Sequence, residues 1–275
     1  MLDNRILRAL QMKELECVKD IALICQKYSI KWMLGYGTLL GAVRHEGFIP
    51  WDDDMDILMF KEDVDKFVEV CEKELDKEKY FLQSYETDVN HPCMSLKIRI
   101  NNTCSMLRKY KDIPMNWGIC IDIFTIRYAP TKKTDRKRME FSWKLCNMLL
   151  QSSLYDSKLY DNFIKKCVIR FLQKNRTSKN IHRLIDTINN LSQKTDKKEI
   201  WIDGEIKYFP TDIFKETMSL KFEGEHFPCP IKTHECLRFS YGDYMQLPPE
   251  EERIGHGDII VDLNKSYLEY QKELK

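Results

Sequence analysis

Four aspartates crowd into residues 52–56 and lead straight into an apolar run, Ile57-Leu58-Met59-Phe60. That junction constrains the chain more than any other feature. A short apolar run bounded by turn residues reads as a buried strand. A strand entered through carboxylates must deliver their charge to one end of a sheet, where water, a cation or a basic partner takes it up. Residues two apart on a strand share a face, so Asp54 and Asp56 project together. Asp52 has the same parity, and Asp53 points the other way. The alternative is a solvated turn, where aspartate is common.

Upstream, a strand over Ile30–Leu34 is expected to run into Gly35-Tyr36-Gly37-Thr38 and then a helical stretch, Leu39–His45. Such a turn offers backbone N–H groups and a helix N-terminus to a phosphate. Glycine there equally serves a positive φ. Asp54 follows Thr38 by 16 residues, room for one helix and a return strand, so turn and acids can face one pocket. A further acid, Asp122, sits inside Ile119-Cys120-Ile121-Asp122-Ile123-Phe124. A lone acid in a buried strand needs a partner: either a buried Lys or Arg, or a metal shared with Asp54 and Asp56. Hard carboxylate oxygens at this spacing suit Mg²⁺ (or Mn²⁺), whose remaining positions phosphate oxygens and water fill.

The rest of the chain supplies a mixed framework. Apolar positions Leu7, Leu10, Leu15, Val18, Ala22 and Cys25 predict a helix over Arg5–Lys27, and Val64, Phe67, Val68 and Cys71 predict another over Glu62–Leu75. Strands are expected at Tyr80–Ser84, Met94–Ile100, Cys104–Tyr110 and Ile119–Ile126, with a hairpin around Met218–Pro228. This order predicts an α/β (α+β) fold, a mixed sheet flanked by helices.

Charge divides the chain. Residues 131–200 carry 17 Lys/Arg against 7 Asp/Glu, a surplus of 10, whereas the whole chain nets +1 and the remainder therefore about −9. A nucleic-acid binder would spread its basic charge otherwise, so no nucleic-acid partner is expected. The expected organisation is a core over 1–130, a basic helical insert over 131–200 and a closing segment over 201–275. In the insert, Phe141, Leu145, Met148 and Leu149 form one stripe, and Phe163, Cys167, Ile169, Phe171 and Leu172 another. It reads as a helical subdomain with solvated lysines, or as a cationic face that docks on an anionic membrane or a phosphate-rich acceptor. Ten cysteines lie scattered without a C-x-x-C pair, and the N-terminus shows no apolar signal region. A cytoplasmic chain with reduced thiols is expected, peripheral at the inner membrane face in the docking reading. His226, Cys229, His234 and Cys236 do not match the spacing of a zinc finger.

The segment Gly35-Tyr36-Gly37-Thr38-Leu39-Leu40-Gly41-Ala42-Val43-Arg44-His45-Glu46-Gly47-Phe48-Ile49-Pro50-Trp51-Asp52-Asp53-Asp54-Met55-Asp56 closely resembles the signature of the LicD family. That family comprises bacterial phosphocholine transferases and is related to the fukutin-type ribitol-phosphate transferases. The likeness continues through Lys97-Ile98-Arg99, Gly118 to Phe124, Phe222-Glu223-Gly224 and Tyr241 to Pro249, and is weakest from Thr131 to Ile200. Where some members carry Pro-hydrophobic-Asp after the Ile-Asp-Ile-Phe strand, this chain has Thr125-Ile126-Arg127.

The resemblance implies a nucleotidyltransferase-like core, with Gly37-Thr38 as the phosphate turn, Asp54 and Asp56 as metal ligands and Asp122 as the third carboxylate. It implies transfer of the distal phospho-group of a CDP-linked donor to a glycan or lipid-linked glycan, such as a teichoic acid or lipopolysaccharide precursor, with CMP leaving. Asp122 then binds a second metal or takes the acceptor proton. Arg44, Lys97 and Arg99 are candidate phosphate ligands, the last two sharing a strand face; His45 reads as a local hydrogen-bonding residue. A choline headgroup wants aromatic walls, for which Tyr36, Trp51, Trp117 and Tyr128 are all candidates. CDP-choline leads as donor. A CDP-polyol and a non-catalytic glycan- or nucleotide-binding relative are the rivals.

Overall fold

A computed structural model describes residues 2–156, 162–205 and 207–273. Its centre is a seven-stranded mixed sheet. Helix α1 (Asn4–Lys27) opens on an Asp3 side chain that accepts from the Arg5 N–H, and buries one stripe containing Leu7, Leu10, Leu15, Val18 and Ile21. Strand β1 is only Met33–Leu34, shorter than the expected Ile30–Leu34, because β2 (Asp56–Phe60) offers ladder partners to those two residues alone. Helix α2 (Tyr36–His45) starts three residues before the expected Leu39. The glycine turn is therefore the first turn of the helix itself, with Tyr36 at φ +42°. Helix α3 (Lys61–Glu74) and strands β3 (Tyr80–Gln83) and β4 (Leu96–Ile100) follow.

Strand β5 (Cys104–Leu107) ends before the expected Tyr110, as Arg108–Tyr110 coils into a short 3-10 turn. It leaves the central sheet to pair with β11 (Ile259–Asp262). The long strand β6 (Cys120–Tyr128) organises the rest. It runs parallel to β2 along one edge. Along the other edge β4 pairs with its first half and β7 (Glu199–Ile202) with its second, both antiparallel. β3 extends the sheet beyond β4, and β8 (Tyr208–Pro210) beyond β7.

Between β6 and β7 the chain builds three helices, α4 (Lys133–Gln151), α5 (Phe163–Asn175) and α6 (Ser178–Ser192). Met139, Cys146 and Leu150 of α4 meet Ile181, Ile188 and Leu191 of α6 over Trp201 of β7. The stripes expected here differ from the buried faces. Phe141 and Met148 of α4, and Phe163, Cys167 and Phe171 of α5, stand exposed, and α5 buries no residue. A buried ion pair clamps β6 to the end of β7, with Arg127 Nε 3.0 Å from Asp203 Oδ1, and Arg127 Nη1 reaches the insert by donating to Asn189 of α6. The departure from the family pattern at Arg127 is thus a structural brace.

The hairpin β9 (Thr217–Phe222) and β10 (Glu225–Pro230) packs beside β1, and helices α7 (Thr233–Tyr241) and α8 (Tyr267–Glu273) complete the chain. At the hairpin turn Glu223 accepts from Arg8 of α1 and from the Phe48 N–H, 3.1 Å away. It ties that turn to the loop leading into the aspartates. No helix among the described residues is long and apolar enough to cross a membrane.

Candidate active site

The register of three strands builds the site. Asp56 of β2 pairs with Asp122 of β6, and Asp122 with Lys97 of β4, so the three form one row across the sheet. Two residues before Asp56, Asp54 adds a carboxylate. Oxygens of Asp54, Asp56 and Asp122 lie within 4.8 Å of one another. Asp56 is fixed by its own backbone, whose N–H donates to the Thr38 hydroxyl at 2.8 Å. Gly37 keeps the α2 entrance close to Asp52: a Cβ there would stand 2.7 Å from the Asp52 Oδ2. Gly37 and Thr38 therefore shape the acid cluster from behind.

Electrostatics in the cluster favour positive charge. Burial first, and neighbouring carboxylates second, push Asp52 up to about 8 and hold Asp56 well above the usual carboxylate range. Burial likewise raises Asp54, partly offset by His256. Asp122 is neutralised by Lys97, whose ammonium lies 2.5 Å from Oδ1 and 2.6 Å from Oδ2. Despite burial, that carboxylate keeps the lysine charged. Among the described residues Asp56 has no ion-pair partner. Three hard oxygen donors, two of them under repulsion, fit a divalent cation such as Mg²⁺ or Mn²⁺.

The pH consequence follows from the sign of these shifts. A carboxyl group raised in the folded state binds its proton more tightly there, so its contribution to stability is complete below about pH 4 and lost as pH climbs through about 8. A cation replaces those protons and needs the ionised form. The melting temperature in EDTA should therefore fall between pH 5 and pH 8. The gain from saturating Mg²⁺ or Mn²⁺, about 2.7 kcal/mol at a hundred times Kd, should be larger at pH 8. An equal or larger gain at pH 5 would refute a metal role for the cluster.

The cluster opens into a cleft of about 620 Å³. Of the residues singled out in the sequence, Tyr36, Asp54, Asp56, Lys97, Arg99 and Asp122 line it. Arg99 directs two of its donors into the sheet, to Gln83 Oε1 and to the Gly118 carbonyl, each at 2.7 Å. Arg44 is not on the cleft wall. It stands near Asp52 and donates to the Tyr244 carbonyl at 3.2 Å. Trp51 lies outside as well, its ring 5.5 Å from the Arg253 guanidinium over a separate cavity of about 530 Å³. Trp117 is buried beside Tyr110, and Tyr128 packs on Phe60. Of the four aromatic candidates, Tyr36 alone faces the acids, edge-on to Phe124 with ring centroids 4.9 Å apart.

Among the cleft groups that escaped the sequence reading are His256 and Glu14. His256 crosses the opening from the loop before β11: its Nδ1 lies 2.6 Å from Asp53 Oδ1 and its Nε2 3.6 Å from Asp54 Oδ2. The bond to Asp53 raises this imidazole to about 9. Gly255 permits the wrap, since a Cβ there would come within 2.8 Å of the Asp53 carboxylate. Nothing local links residues 53 and 256. Glu14 was more legible, because it lies four residues after Leu10 and seven after Leu7, on the apolar stripe of α1. It is buried, its Oε2 has no hydrogen-bond partner among the described residues, and burial followed by Asp54 holds it well above the ordinary carboxyl range.

Comparison with known proteins shows the family. The family model described as LicD/FKTN/FKRP, nucleotidyltransferase domain, matches residues 29–143. The lipopolysaccharide cholinephosphotransferase LicD of Haemophilus influenzae is 30% identical over 260 residues, covering 91% of this chain and 95% of that protein. The chain belongs to the LicD family. It is therefore an enzyme of the transferase class. Shorter matches reach uncharacterized proteins of Rickettsia typhi, 44% identical over 63 residues, and Rickettsia prowazekii, 48% over 56, each covering 20% of the relative. The LicD domain match ends at residue 143, inside α4, so it holds every acid of the cluster except Glu14.

Proposed function

We propose that the chain transfers phosphocholine from CDP-choline to a hydroxyl of a lipopolysaccharide or related surface-glycan precursor, releasing CMP. The observation that carries this reading is the single row Asp56–Asp122–Lys97 beside Asp54, in a chain similar along almost its whole length to a cholinephosphotransferase. Asp54 and Asp56 would hold a divalent cation, which when bound neutralises charge on the donor diphosphate. The ammonium of Lys97 has two anions to serve. When the diphosphate enters, it can turn from Asp122 to a phosphate oxygen. Asp122 is then free to accept the proton of the acceptor hydroxyl, whose oxygen bonds to the distal phosphorus as the bond to CMP breaks. Base assistance of this kind contributes roughly 10²–10⁴-fold.

Choline is favoured over a polyol by the Tyr36–Phe124 pair, an aromatic surface with Glu205 on the same cleft. Aromatic faces beside a carboxylate attract a quaternary ammonium, whereas a polyol calls for hydrogen-bond partners. The test is product analysis with Mg²⁺, a lipopolysaccharide acceptor and CDP-choline, CDP-ribitol or CDP-glycerol in turn. Release of CMP with CDP-choline, with phosphocholine on the glycan, is expected. CMP release only with a CDP-polyol would reassign the donor; pyrophosphate release from CTP would make the chain a nucleotidyltransferase.

A further inference from the structure

Helix α5 is built inside out. In a helix of a soluble domain the apolar stripe faces the core, yet α5 buries none of its residues. Phe163, Ile164 and Phe171 are 77%, 71% and 65% exposed, and Val168 and Cys167 are exposed between them. Positions 164, 167, 168 and 171 follow helical spacing and so make one continuous apolar face. The opposite side holds the helix to the body: the Gln173 amide donates to the Ser152 and Tyr155 carbonyls at 3.1 and 2.8 Å, and Ile169 and Leu172 are half-buried. The core of the insert is made by α4, α6 and Trp201 without α5.

Charge identifies what covers this face. Lys166, Arg170 and Lys174 recur every fourth residue and line one flank of the apolar face, Lys165 lies on the other, and no acid occurs from Asn162 to Asn175. Neighbouring α4 repeats the combination, with Phe141 and Met148 exposed alongside Lys137, Arg138 and Lys144. Arg136 is excluded from this surface because it is bonded to Glu199 and the Pro130 carbonyl. Bulky apolar groups flanked only by cations match an anionic bilayer, where the rings and aliphatics enter the acyl boundary and the lysines and arginines reach back to the phosphates. We propose that α5 is an in-plane membrane helix that docks the enzyme on anionic lipid. The proposal is independent of which group the cleft transfers.

Flotation of the full chain with vesicles tests it. Binding to phosphatidylcholine vesicles containing phosphatidylglycerol should exceed binding to pure phosphatidylcholine by at least about 10-fold and weaken with added salt. The double variant I164D/F171D should lose that binding by at least roughly 10-fold, with circular dichroism and melting temperature unchanged because both side chains face solvent. The charge variant K166Q/R170Q/K174Q should weaken it comparably without altering the apolar face. Failure of the wild-type chain to bind anionic vesicles would overturn the proposal. So would binding that survives I164D/F171D. A dimer in sedimentation that I164D/F171D dissociates would instead assign the face to a second copy of the chain.

Discussion

Asp56→Asn should lower turnover by roughly 10²–10⁴-fold and, at the same time, raise the melting temperature of the metal-free protein. Both effects come from one side chain. Asp56 is buried at the hub of the row, where burial and then Asp54, Asp122 and Asp52 oppose its charge. Asparagine keeps the shape and the Thr38 bond to the backbone, which does not involve the carboxylate. It removes a repelled charge and with it a cation ligand. Each kcal/mol gained should appear as about 2–4 °C. Asp122→Asn should cost as much activity but shift stability the other way, because it strips Lys97 of its carboxylate. An ammonium left without that partner costs about 1–3 kcal/mol, discounted here because the cleft admits water. Steady-state rates and melting curves in EDTA separate the two variants. Near-normal activity in either would end the three-acid site. A lower melting temperature for Asp56→Asn would show that repulsion is not what governs that position.

The second large effect concerns the opposite face of β6. Arg127→Ala should destabilise the fold by about 3–5 kcal/mol, on the order of 10 °C. Both partners of the Arg127–Asp203 pair are almost wholly shielded from water, and Asn189 completes the guanidinium's bonds. Removing the arginine leaves Asp203 charged and alone in the interior. Replacing both partners with apolar groups, as in R127M/D203L, should restore most of the loss, since the interior then holds no unmatched charge. Denaturant unfolding of the three proteins is the measurement. If the double variant is as unstable as the single one, packing rather than the orphaned acid is responsible.

How far the sequence disclosed all this depends on the range of each signal. A spacing of two at the entrance to β2 was enough to pair Asp54 with Asp56, and an acid inside an apolar strand was enough to mark Asp122. The Lys97–Asp122 contact needed the antiparallel register of β4 on β6, which no single strand records. The same missing register hid where Arg99, which lines the cleft, sends two of its donors: to Gln83 and to the Gly118 carbonyl. Arg44 and Trp51 were drawn into the site by their place in a signature segment, but α2 and the following loop turn them toward Tyr244 and Arg253. His256 lies two hundred residues from Asp53, beyond any local pattern. In the insert the apolar positions were recognised as helical, but Ile169 and Leu172 were grouped with Phe163, Cys167 and Phe171, which lie on the other side of α5, and period does not say which way a stripe faces. That is why Phe163 and Phe171 were legible as a stripe and not as surface.

Strand β6 divides its labour by parity. Asp122 looks into the cleft, while Arg127, an odd number of residues later, looks toward the insert, pairing with Asp203 at the end of β7 and donating to Asn189 of α6. The helices between β6 and β7 are thus mounted on the reverse side of the plate that carries the chemistry. Exchange of residues 131–198 for the equivalent stretch of another family member, with the Arg127 contacts matched, is therefore expected to leave Asp122 where it stands.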